Sequence, residues 1–123
     1  MLEYIYHLAL RANWDGVSRF STRELTDHKL FKPYAILLRD AAQASGGSLW
    51  ANILPTGASI HRHNHEPSKL TAVYFLTEGP ALQFDTREIA CIPGDIACFK
   101  GSSYHWVETN LGPDRISLAM NFP

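Results

Sequence analysis

The stretch "IHRHNH" (60–65) places three of the chain's six histidines at alternating positions. On an extended segment, side chains at i and i+2 share a face. His61, His63 and His65 can therefore present imidazoles in one direction. Two imidazoles at that spacing can hold the same ion, but a catalytic metal needs a third donor and open positions besides. His105, in "SSYHWVETN", supplies that donor if a rolled sheet brings its strand beside the first. The bland alternative is a solvated polar loop at 60–65 and a satisfied core histidine between Tyr104 and Trp106. For His61 alone we favour the bland reading; for His63, His65 and His105 together we favour a metal centre.

Three features support that choice. Gly57 stands six residues before His63, after the turn "PTG". "IPGDIACFKGSSYH" reads as strand, Pro-Gly turn, strand and second turn, then His105. Arg115 follows His105 by ten residues, with Ser117 two further on. On a strand Arg115 and Ser117 share a face. An inward guanidinium in a small barrel is costly unless an anion meets it. A dicarboxylate gripped by Arg115 and seconded by the Ser117 hydroxyl would be such a partner. The commoner fate of a single arginine after a turn such as "LGPD" is the surface.

The elements that must position these residues follow from the patterning. After Gly47, short apolar runs alternate with turn residues: "SLWANIL", "LTAVYFLT", "ALQFD", "EIACI", "IACFK", "YHWVETN" and "RISLAMNF". Seven or eight strands at that spacing predict a mostly β double-sheet jelly roll over 48–123. The region 1–47 is expected to be a helical cover packed on one face of it, the whole 1–123 forming a single domain. There, Ile5, Leu8 and Leu10 only loosely follow a helical face and are also compatible with a strand over 2–9. "STRE" (21–24) has the form of a capping box opening a short helix to Leu30. "KPYAILLRDAAQAS" (32–45) is the best helix, with Pro33 in its first turn and Gly46-Gly47 as its stop.

Bulk properties narrow the function. The chain has 123 residues, 46% hydrophobic and 19% charged, with net charge −1. That suits one globular core, and no basic field invites nucleic acid. The longest apolar runs, such as "YAILL", are too short to span a bilayer, and the first residues lack a signal-peptide pattern. Cys91 and Cys98 are expected to be two buried thiols of a cytoplasmic protein. A core of this size gains from association, so a homodimer is a natural state.

From about Leu49 to Phe122 the chain resembles the small Fe(II)- and 2-oxoglutarate-dependent oxygenases, the superfamily that includes prolyl 4-hydroxylases. The likeness is carried by "WANILPTGASIHRHNHEPSKLTAVYFL" and "PGDIACFKGSSYHWVETNLGPDRISLAMNF", in that order. It implies a double-stranded β-helix. It places the iron ligands on His63, His65 and His105, and the arginine that grips the far carboxylate of 2-oxoglutarate on Arg115, with Ser117 assisting. Asn52 falls where an asparagine can reach the cosubstrate, and Leu54 where an aromatic is common. The implied activity is hydroxylation of a C–H bond in a peptide or small molecule. Trp50, Tyr74, Phe84, Phe99 and Trp106 are candidate wall residues, Tyr74 foremost; for most of them plain core is the commoner role, since alternating aromatics fill small barrels. Carboxylates or carbonyls should orient the ligating imidazoles, and Glu66, Asp85 and Glu108 are the carboxylates available.

Two departures stand out. His65 occupies the place of the usual carboxylate, and the chain is small for that superfamily. The second choice is the cupins, whose first motif, G-x5-H-x-H, fits Gly57, His63 and His65. The glutamate that should follow is Lys69 or Leu70 here, and Arg115 and Ser117 are left without a role. A non-catalytic, cupin-like module binding a metal or small acid is the third reading.

Overall fold

The computed structural model describes residues 3, 5, 6, 10–14, 17–22 and 25–123. Strands β1 (Leu10–Trp14) and β2 (Val17–Ser21) form a hairpin. Helix α1 (Lys32–Ala42) follows, and then β3 (Ser48–Leu54), β4 (Ile60–His63), β5 (Leu70–Phe75), β6 (Gly79–Phe84), β7 (Glu88–Cys91), β8 (Ile96–Lys100), β9 (His105–Val107) and β10 (Arg115–Phe122). One sheet runs β1-β2-β3-β10-β5-β8 and the other β4-β9-β6-β7. From β3 onward the chain passes back and forth between the two sheets, and the pairings are antiparallel. This is the jelly-roll arrangement.

The larger sheet is covered on both faces. Its outer face (Leu49, Ala51, Ile53, Ala72, Ile116, Leu118, Met120) packs on Ala35 and Leu38 of α1 and on Phe31 and Ile5. Its inner face adds Leu54, Val73, Phe75 and Ala119 to Leu82, Phe84 and Val107 of the smaller sheet. β10 lies between both clusters, which is why "RISLAMNF" is almost wholly buried. A strand covered on two sides carries apolar residues at consecutive positions instead of alternating ones.

The N-terminal cover departs from expectation. Residues 10–14 and 17–21 pair as antiparallel strands, and among the described residues of 22–30 there is no helix. Instead the segment after β2 extends the sheet along β3. The amides of Thr22 and Leu25 donate to the carbonyls of Ala51 and Leu49. The hydroxyls of Thr22 and Thr26 accept from the amides of Ala51 and Leu49 at 2.9 and 3.0 Å. Pairing with a strand edge satisfies more backbone than one short helix would, and it overrides the local capping signal. Glu24, the other half of that signal, lies outside the described residues, as does Leu8; residues 3, 5 and 6 are helical. Helix α1 forms as expected but ends at Ala42, where Gln43 turns left-handed at φ 54°.

The two cysteines part ways. Cys91 is buried and its thiol donates to the Thr77 carbonyl at 3.1 Å. Cys98 is exposed, contrary to the expected buried thiol, because it points outward from β8 while Ala97 and Phe99 point in. No described helix is long and apolar enough to cross a membrane.

Candidate metal centre and anion pocket

β4 and β9 set His63 directly opposite His105. His65 lies just beyond the end of β4, where its amide donates to the Gly101 carbonyl at 2.8 Å. One nitrogen from each of the three imidazoles falls within 4.8 Å of the others. Ring centroids are 4.4 Å apart for His63 and His105, 4.9 Å for His65 and His105, and 5.1 Å for His63 and His65. The turn holding this cluster depends on Gly57 at φ 85°, a conformation costly for any residue with a Cβ. Its amide donates to the Asn110 carbonyl at 2.6 Å, tying the approach to β4 to the loop leaving β9.

The ring orientations follow from their partners. Nδ1 of His63 lies 2.7 Å from the His61 carbonyl, and Nδ1 of His105 lies 3.0 Å from the Ser103 carbonyl. A carbonyl only accepts, so both Nδ1 atoms carry a proton, and in the neutral ring Nε2 is the nitrogen that keeps a lone pair. Backbone carbonyls, one of the two kinds of partner expected, thus orient these two rings. Asp85 instead pairs with Arg62 at 2.8 Å, Glu108 accepts from the Trp106 indole at 3.0 Å, and Glu66 is exposed. His105 is buried beside Phe84 and Phe99. Burial lowers its pKa to about 4, partly offset by its hydrogen bond to Ser103 and reinforced by His63. It therefore stays neutral, as a ligand must.

Beside the imidazoles opens a cavity of about 80 Å³, lined by Trp50, Asn52, His63, His65, His105, Arg115 and Ser117 among others. Register explains the grouping: Ser117 faces Asn52 and Ala119 faces Trp50 across β10 and β3. The Trp50 indole donates to the Asn52 side-chain oxygen at 3.1 Å, which turns the Asn52 amide nitrogen elsewhere. Ile60, Val73, Leu82 and Val107 make the apolar wall.

Arg115 is 4% exposed. Its Nε donates to the Pro80 carbonyl at 2.9 Å, its guanidinium sits beside the Cys91 thiol and over the Phe75 ring, and burial lowers its pKa. Nη2 is buried with no hydrogen-bond partner, alone in this respect among the described side chains. The side chain lies so close to Gly79 that a Cβ there would stand 2.7 Å from Arg115 Cγ.

Most sequence-derived candidates thus meet in one place: His63, His65, His105, Arg115, Ser117, Asn52 and Trp50. Tyr74 does not. It is on the outer face of β5, its ring 5.2 Å from Tyr34 of α1, because Val73 and Phe75 take the inward positions. Phe84 and Phe99 pack around His105, and Trp106 faces away, toward Glu108. Sequence reasoning missed Asn121, whose Nδ2 lies 3.4 Å from His65 Nδ1. The alternation Arg115, Ser117, Ala119, Asn121 along β10 was the available signal.

No protein-family model matches the chain, and no curated protein matches its sequence. Solved structures do match. An oxidoreductase of the 2OG-Fe(II) oxygenase family from Burkholderia pseudomallei superposes with a TM-score of 0.67 at 14% identity, over 98% of this chain and 77% of that one. A predicted oxalate decarboxylase from Thermotoga maritima gives 0.63 at 18%, over 93% and 90%. A cupin protein from Bacteroides fragilis gives 0.55 at 15%, over 93% and 83%. At such identities the likeness defines the fold: a mostly β, cupin-like jelly roll shared by enzymes of more than one chemistry.

Proposed function

We propose that the chain is an Fe(II)- and 2-oxoglutarate-dependent oxygenase whose metal is held by His63, His65 and His105. The observation that carries the reading is Arg115: a buried guanidinium with an unpartnered Nη2, lining the same cavity as the three imidazoles. A buried cationic donor left unpaired is costly, and a carboxylate is the partner that relieves it. The donor set also fits a metal. Two of the three rings are held with a bare Nε2, and His105 is too buried to protonate near neutral pH.

Bound there, iron and 2-oxoglutarate would supply the oxidation, coupling loss of carbon dioxide from the keto acid to hydroxylation of a C–H bond. The chain's own residues position and shield. Arg115 and the Ser117 hydroxyl hold the far carboxylate, and the Asn52 amide nitrogen offers a further donor. The carbonyls of His61 and Ser103 fix two imidazoles, and Ile60, Val73, Leu82 and Val107 keep the pocket dry. The substrate is a small molecule or a peptide presenting its C–H bond at the mouth.

Three neutral ligands in place of two and a carboxylate favour a second reading, a cupin-type metalloprotein that ignores 2-oxoglutarate. Turnover separates the two. Under the oxygenase reading, the reconstituted chain releases succinate from 2-oxoglutarate only when iron is present, and Arg115→Ala abolishes that release while metal remains bound. Metal bound with no succinate formed would favour the cupin reading.

A further inference from the structure

His63 and His105 each give an Nδ1 proton to a carbonyl, whereas the contacts of His65 include a side-chain amide and a second imidazole. Its Nδ1 faces Asn121 Nδ2 at 3.4 Å, and its Nε2 lies 3.1 Å from His105 Nε2. His105 Nε2 carries a lone pair, so the 3.1 Å contact requires the proton on His65 Nε2. His65 Nδ1 then accepts from the Asn121 amide. Asn121 Oδ1 in turn accepts from the hydroxyl of fully buried Thr71 at 2.8 Å, the residue opposite it across β10 and β5. Donation therefore runs in one direction, Thr71 to Asn121 to His65 to His105.

A metal held by all three Nε2 atoms cannot share the site with that proton. We infer that Asn121 is a positioning residue that sets the tautomer of His65, and that metal binding reverses the relay. The inference rests on the three-histidine metal reading. In the loaded state the His65 proton sits on Nδ1 and donates to Asn121 Oδ1. The amide is turned over about its side-chain axis, so its Nδ2 donates to Thr71 Oγ1, and the Thr71 hydroxyl proton turns away. The ends of an amide are distinguished by the network they join, so either orientation suits the same space. The proton moves between two nitrogens of one ring and the ring stays neutral.

Nitrogen-detected NMR of the histidine side chains, with and without zinc, tests this together with zinc affinity. Metal-free protein should show His65 as the Nε2–H tautomer and zinc-loaded protein as Nδ1–H. Asn121→Leu should weaken zinc binding 10- to 100-fold, the usual effect of removing a partner that orients a ligand. Asn121→Asp, which can only accept from Nδ1–H, should restore wild-type affinity or exceed it. Equal zinc affinity in Asn121→Leu, or an Nδ1–H tautomer in the metal-free wild type, overturns the relay while leaving the metal site standing. Failure of the wild type to bind zinc would overturn the metal site itself, and the metal-free spectrum would still judge the resting direction of donation.

Discussion

Arg115 binds the account together at the scale of a single side chain. A bidentate, charge-assisted contact to a carboxylate contributes about 1.5–3 kcal/mol per bond. Arg115→Met should therefore weaken 2-oxoglutarate binding at least about 100-fold, with metal affinity changed by less than about threefold. Calorimetry of each ligand alone would show it, and an unaltered 2-oxoglutarate affinity would remove Arg115 from the pocket's function. His105 makes a separate prediction. Its folded pKa of about 4 lies below the ordinary histidine value of 6.5. The unfolded chain therefore binds the extra proton first as pH falls. The neutral ring's contribution is fully present above about pH 6.5 and is lost as pH drops toward 4. Urea midpoints of metal-free protein should decline between pH 6.5 and 5, before most carboxylates titrate, and His105→Asn should flatten that decline. An identical slope in wild type and variant would contradict the assignment. At this scale His63, His65, His105, Arg115 and Ser117 were legible, because alternation and chain order carry them. Tyr74 was not: a small sheet covered on both faces gives no sequence sign of which aromatic turns inward.

At the scale of elements, the pocket depends on how strands and turns lock each other. Gly79, at the start of β6, leaves room for the Arg115 stem, and a Cβ there would stand 2.7 Å from Cγ and 2.9 Å from Cδ. Gly79→Ala should displace the guanidinium, destabilise the fold by about 1–3 kcal/mol and weaken 2-oxoglutarate binding without touching a metal ligand. Retention of wild-type affinity would show that the cavity does not depend on this packing. Asn110 pins the loop beside it, lining the same surface cleft as Gly79. Its Nδ2 donates to the carbonyls of Leu54 and Pro113 at 2.9 and 2.8 Å, and its Oδ1 accepts from the Gly112 amide. Asn110→Ala leaves these groups unpaired and should cost about 2–4 kcal/mol in denaturant unfolding. A change under 1 kcal/mol would mean solvent replaces them at about the usual surface value. The strands from β3 onward were readable from runs and turns. The first hairpin was not, since its decisive partner is the β3 edge, and the capping signal of "STRE" is purely local.

The molecule as a whole is a jelly roll in which one sheet supplies Arg115, Ser117 and Asn52 and the other supplies His63 and His105. A ligand that binds only the folded arrangement couples the two sheets. Metal at 100 times its dissociation constant should add about 2.7 kcal/mol to folding stability and raise the melting temperature by several degrees. The His63→Ala/His105→Ala double variant should lose that increment. The most direct test is an anaerobic titration of the chain with Fe(II) and 2-oxoglutarate, followed by visible absorption. The expected result is a charge-transfer band that saturates at one iron per chain, requires both ligands and is absent in the Arg115→Met variant. Iron binding with no band at any 2-oxoglutarate concentration would contradict the account.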